Sequence, residues 1–92
     1  MILNFRCADT QSLFETGASR RWNNMLTVAT RKLAMLNAAV ELRDLRSPPG
    51  NRLEPLQGNR AGQHSIRIND QWRICFVWTE SGPSQVEIVD YH

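Results

Sequence analysis

The stretch Gln71-Trp72-Arg73-Ile74-Cys75-Phe76-Val77-Trp78, "QWRICFVW", decides the fold. At a period of two, Trp72, Ile74, Phe76 and Trp78 share one face, and Arg73, Cys75 and Val77 share the other. Aromatic and β-branched residues on both faces describe a strand inside a sheet. One face is then packed on a helix. The other carries Arg73, and a charge in mid-sheet needs a partner or a wet groove.

Upstream, "QHSIRI" (63–68) alternates Ile66 and Ile68 against Ser65 and Arg67, with Asn69-Asp70 as the turn into the central strand. His64 shares parity with the isoleucines, which suits a packed or edge role. "NRLEPLQG" (51–58) reads as a short strand bearing Leu53 and Leu56, with a turn at Gly58-Asn59. Downstream, Gly82-Pro83 predicts the last turn and "QVEIVDYH" (85–92) the last strand. Ser47-Pro48-Pro49-Gly50-Asn51 is a breaker.

The half before that breaker is helical. Trp22, Met25, Leu26, Ala29, Leu33, Leu36 and Val40 recur at steps of three and four, predicting an amphipathic helix of about 18 residues capped by Ser19. A shorter helix capped by Asp9 turns Leu13 and Phe14 inward and ends at Gly17. Leu42 and Leu45 fit one more helical turn. Ile2–Cys7 alternates as a short first strand. The order is β, two helices, then a mainly antiparallel meander. The fold class is α+β: two amino-terminal helices on a sheet of about four to five strands. No linker or repeat interrupts residues 1–92, so one domain is expected.

The chain has 92 residues, 41% of them hydrophobic and 22% charged. No apolar run approaches the length of a membrane span, and the amino terminus lacks a signal-peptide core, so a cytoplasmic protein without a membrane partner is expected. Cys7 and Cys75 are the two cysteines, distant in sequence and outside any metal-ligand spacing. Two free thiols, no metal site and no cofactor are the expectation. Net charge is +2, and ten of the eleven basic residues are arginine. Arginine grips phosphate through two parallel hydrogen bonds and stacks on bases. Arg20, Arg21, Arg31, Lys32, Arg60 and Arg67 are therefore candidate contacts to nucleic acid.

The carboxy terminus, Asp90-Tyr91-His92, places an acid, a phenol and an imidazole side by side. A structural reading pairs Arg73 with Asp90 and uses Tyr91 to close the sheet edge. A chemical reading asks what arginine, histidine and tyrosine do together. Cleavage of RNA by its own 2′-OH needs a base, a cation for the phosphorane charge and an acid for the leaving 5′ oxygen. Histidine titrates near working pH, and DNA lacks the nucleophile. Glu54, Gln57 and Gln71 are candidates for the rim of such a groove.

"RLEPLQGNRAGQHSIRINDQWRICFVW" and the final "VEIVDYH", with "FRCADTQSLFETG" and "LRSPPGNRLE", strongly resemble the HigB toxins of the RelE superfamily over essentially the whole chain. The resemblance implies a microbial-RNase-like, RelE-type sandwich. It implies a ribosome-dependent mRNA endoribonuclease acting in the A site without a metal. It also implies a HigA-type helix-turn-helix antitoxin as partner. By position, Arg73 matches the family's phosphate-stabilising arginine, and Asp90, Tyr91 and His92 match its carboxy-terminal catalytic group. The carboxylate of a terminal His92 would raise the imidazole pKa. In the "LxPLKGD" region some members carry a histidine and a lysine where this chain has Glu54 and Gln57. That departure keeps two other readings open: a catalytically weak or dead member that binds antitoxin or regulates, and a non-catalytic RNA-binding module.

Overall fold

The computed structural model describes residues 1–90. Two helices, α1 (Ala8–Thr16) and α2 (Leu26–Ala38), precede four strands. These are β1 (Glu54–Pro55), β2 (His64–Arg67), β3 (Trp72–Thr79) and β4 (Gly82–Asp90). They form one antiparallel sheet in the order β1-β2-β3-β4. This is the α+β architecture that the periodicities predict.

The helices cover one face of the sheet. Leu13 of α1 and Ala29, Leu33 and Leu36 of α2 are fully buried, as are Trp22, Ile66, Ile74, Phe76 and Val86. Each large apolar side chain in such a core contributes about 1.5–3 kcal/mol. The tryptophan face of β3 packs as expected at its centre, while Trp72 and Trp78 are half-buried at its ends. Trp72 meets Trp22 edge-on at 6.1 Å between ring centroids.

Several boundaries differ from the sequence reading, each for a local reason. Ile2–Cys7 does not form a strand. It runs beside β4 with a single bridge, Phe5 to Val86, and a few backbone hydrogen bonds such as Arg6 N–H to the Val86 carbonyl at 3.0 Å. A bulge in β4 prevents a continuous ladder there. Asp9 sits in the first turn of α1 instead of capping it, and pairs with Arg21 at 3.2 Å. Ser19 caps a turn, accepting from the N–H groups of Arg21 and Trp22. A short 3-10 segment (Asn23–Met25) then leads into a helix of 13 residues. Val40 lies past the end of α2 and is 83% exposed. The turn at Leu42–Arg46 is also 3-10, closed by a reciprocal capping box of Glu41 and Asp44. The last hairpin turns at Glu80-Ser81, and Gly82-Pro83 already belong to β4. Gly82 has φ +135, and the Met1 carbonyl approaches so closely that a Cβ would collide with it.

Both cysteines are free, Cys75 buried and Cys7 half-buried. Among the described residues, no helix is long and apolar enough to cross a membrane.

Candidate RNA-binding face

The face of the sheet turned away from the helices carries the candidate chemistry, and strand register assembles it in two rows. Glu54, Ser65, Cys75 and Glu87 stand opposite one another across the four strands. Arg67, Arg73 and Val89 form the next row. The bulge makes this possible. Between the pairs Val77–Ser84 and Cys75–Glu87, one residue of β3 (Phe76) faces two of β4, Gln85 and Val86. Gln85 adopts φ +52 there. The extra residue turns Val86 and Ile88 into the core and Glu87 onto the groove face.

Arg73 is 5% exposed and held on several acceptors. Its Nε donates to Ser65 Oγ at 2.8 Å and its Nη2 to the Arg52 carbonyl at 2.6 Å. Glu54 Oε1 lies 3.6 Å from the same Nη2. The Arg52 carbonyl is available because Arg52 turns through the left-handed region, φ +46, at the end of the Pro49–Asn51 turn. Asn51 anchors that turn. Fully buried, it donates through Nδ2 to the carbonyls of Leu45 and Ser47 and accepts from the Lys32 amine.

Lys32 is therefore inside the protein, 8% exposed, and not part of the basic surface. Its amine donates to Asn51 Oδ1. Burial, with Arg31 and Arg67 nearby, pushes its pKa down. Arg20, Arg21 and Arg31 remain exposed on the helical side. The Arg21 guanidinium sits 4.8 Å from the Trp22 ring centroid. Arg67 faces the groove beside Arg73 and is tied to Asp70. Arg60 also reaches the groove. Its Nη1 donates to Glu87 Oε1 at 2.8 Å and to Gln63 Oε1 at 3.1 Å. The Glu87 hydrogen bond raises the Arg60 pKa.

Asp90 is exposed at the end of β4, opposite Trp72, and accepts from Gln71 Nε2 at 3.3 Å. Arg73 stands opposite Val89, not opposite Asp90. Tyr91 and His92 lie outside the described residues. His64 stacks on Phe76 at 6.3 Å, as its parity predicts. A cavity of about 220 Å³ opens between the sheet and the loop after β1, lined by Leu56, Gln57, Asn59, Arg60, Cys75, Val89 and Asp90. Burial raises the Cys75 pKa, so its thiol forms a neutral floor. No group of three or more His, Cys, Asp or Glu side chains able to hold a metal gathers among the described residues.

Sequence reasoning missed Glu87, the anchor of Arg60. A signal was present: Pro83, Val86 and Ile88 all turn inward, and the odd spacing between the first two requires a bulge.

The family model of HigB-like toxins, described as RelE-like toxins of type II toxin–antitoxin systems, matches residues 4–92. Toxin HigB-1 of Vibrio cholerae is 54% identical over 82 residues, covering 87% of this chain and 86% of the relative. A Haemophilus influenzae protein is 43% identical over 56 residues, 61% of this chain and 55% of that one. In three dimensions, a chain of the YoeB–YefM complex from Staphylococcus aureus superposes with a TM-score of 0.62 at 15% identity, covering 100% of this chain and 98% of that one.

Proposed function

Because the chain belongs to the HigB-like family of RelE-like type II toxins, we propose that it is a ribosome-dependent endoribonuclease that cuts mRNA in the A site. The observation that carries this reading is Arg67 directly opposite Arg73 on the groove face. Asp70 and Glu54 pair with these two guanidinium groups and hold them on this face. An RNA phosphate beside them gains charge-assisted hydrogen bonds. The protein needs no nucleophile of its own, since the ribose 2′-OH attacks the adjacent phosphorus. Arg73, held rigidly on Ser65 and Arg52, supplies fixed positive charge where phosphorane charge develops. Asp90, Tyr91 and His92 supply the proton transfers at the 2′ and 5′ oxygens. Arg20, Arg21 and Arg31 are exposed and suit contact with ribosomal RNA, where counterion release drives binding. A HigA-type helix-turn-helix antitoxin is the partner that restrains this activity, and the cytoplasm is where both act.

The test is mapping of mRNA 5′ ends after brief induction, with and without the cognate antitoxin. New ends within translated codons, suppressed by antitoxin, support the reading. Growth arrest with intact mRNA overturns it.

A second reading, a catalytically weak member, is favoured by Glu54 lying 3.6 Å from Arg73, where a carboxylate competes with phosphate for the guanidinium. On that reading Glu54→Gln raises the cleavage rate several-fold. A rate that stays flat or falls removes the weak-member reading.

A further inference from the structure

The register that sets Glu54, Ser65 and Cys75 on the groove face turns Pro55, His64 and Phe76 to the opposite one. On that opposite face, at the β1 edge of the sheet, a second cavity of about 430 Å³ opens beside the 3-10 turn Leu42–Arg46. Leu42, Leu53 and Pro55 give it apolar walls, and Arg43, Arg46 and His64 give it polar ones. The sheet stands between this cavity and Arg73. Small-molecule sites have this size and make-up: about 300–1,000 Å³, apolar walls and a few convergent polar groups.

The polar groups are oriented without being consumed. Glu41 accepts from Arg43 Nε at 2.8 Å, and the terminal nitrogens of Arg43 make no hydrogen bond among the described residues. Glu41 is itself fixed, because its side chain forms half of the capping box with Asp44. The Arg46 guanidinium makes no hydrogen bond or ion pair among the described residues. The His64 ring is set by its stack on Phe76. Its Nδ1 is enclosed with no hydrogen-bond partner, which leaves Nε2 as the nitrogen able to meet a ligand.

A guanidinium accepts no hydrogen bond and keeps its charge, so two of them call for an anion. A carboxylate offers two oxygens to three converging donor groups. A phosphate monoester offers three oxygens and a charge of about −1.5 to −2, which matches two arginines. A phosphate within an RNA backbone carries one charge and has chain leaving on both sides, which suits an open groove better than a recess. The apolar walls then have a use that inorganic phosphate gives them no reason for: they cover the ribose and base of the same ligand.

We infer that this cavity binds a nucleoside monophosphate, at a site separate from the RNA face. Arg43 and Arg46 hold two phosphate oxygens, His64 Nε2 meets the third, and Leu42, Leu53 and Pro55 pack on the nucleoside.

Isothermal titration of the purified protein with AMP tests this, with adenosine, inorganic phosphate and a short RNA bearing hydroxyl ends as comparisons. One AMP should bind per protein. Adenosine and inorganic phosphate should each bind at least about tenfold more weakly, since each lacks one half of the recognised groups. Arg46→Gln, at an exposed position with no partner to strand, should weaken AMP binding at least about tenfold, and Arg43→Gln likewise. Arg67→Gln, on the groove face, should leave AMP affinity unchanged. No AMP binding, or equal binding by wild type and Arg46→Gln, overturns the inference. Loss of AMP binding in Arg67→Gln moves the nucleotide to the groove and also overturns it. Equal affinity for AMP and inorganic phosphate overturns the nucleoside assignment. Displacement of AMP by the hydroxyl-ended RNA, lost in Arg46→Gln, identifies a backbone phosphate as the ligand and overturns the monoester assignment.

Discussion

Replacing Arg73 with alanine separates what this guanidinium does for the fold from the role in RNA cleavage proposed for it. At 5% exposure the side chain is nearly enclosed. Truncation leaves Ser65 Oγ and the Arg52 carbonyl without the donors that reach them at 2.8 and 2.6 Å. A buried polar atom stripped of its partner costs about 1–3 kcal/mol. Ser65 is fully buried and bears that cost. Arg52 is exposed, so its carbonyl recovers part of its hydration. Glu54, with 42% of its side chain exposed, loses an ion pair worth little. The sum is about 2–3 kcal/mol, against a total stability on the order of 5–10 kcal/mol for a domain of this size. Arg73→Ala should therefore fold, with a lower urea midpoint and an unchanged slope. Its cleavage rate per folded molecule should fall about a hundred- to a thousand-fold, the usual loss of one fixed stabiliser of transition-state charge. Arg73→Lys keeps the charge, gives up the fork, and should recover part of the rate. A variant as stable as wild type refutes the packing argument. A destabilised variant that cleaves at the wild-type rate refutes the catalytic one.

Three further outcomes follow from the same contacts. Lys32→Met leaves the buried Asn51 Oδ1 without its donor and should cost about 1–3 kcal/mol by urea denaturation. Because the folded-state pKa of Lys32 lies below its ordinary 10.5, the unfolded chain binds more protons in that alkaline window; stability attributable to Lys32 rises with pH there, and Lys32→Met should abolish the rise. Asp44 shows the opposite sign: the backbone N–H groups of Glu41 and Val40 hold its pKa below the ordinary 3.8, so its stabilisation is complete above that value and is lost as pH falls through the folded pKa, a slope that Asp44→Asn should flatten in acid melts. Deleting Tyr91 and His92 should preserve antitoxin binding and the thermal transition while lowering cleavage about a hundred- to ten-thousand-fold; a folded truncation that still arrests growth removes both residues from the mechanism.

Much of this arrangement is legible in the chain. Period two in "QWRICFVW" names the central strand and puts Arg73 on the face without helices, because burial constrains both faces at once. The spacing of Ala29, Leu33 and Leu36 names α2 for the same reason. The reading failed where local hydrogen bonds outcompete periodicity. Ser19 uses its side chain to make a turn, accepting two backbone N–H groups, where a helix cap was expected. Lys32 follows the polar pattern of a surface residue, and only the fold reveals the buried asparagine waiting for its amine. The partners of Arg73 are equally non-local: Ser65 arrives by strand register, and the Arg52 carbonyl by a left-handed turn that an arginine rarely adopts. The bulge at Gln85, which delivers Glu87 to Arg60, breaks the very alternation from which strands are read.

The most direct test of the account compares one mRNA in two states, free in solution and positioned on purified ribosomes with an open A site. The account predicts cleavage within the A-site codon of the ribosome-bound message, no comparable cleavage of the free message, and a bound-message rate reduced at least about a hundred-fold in Arg73→Ala. Equal cutting of free and bound mRNA, or an intact message on ribosomes to which the protein is bound, would contradict it.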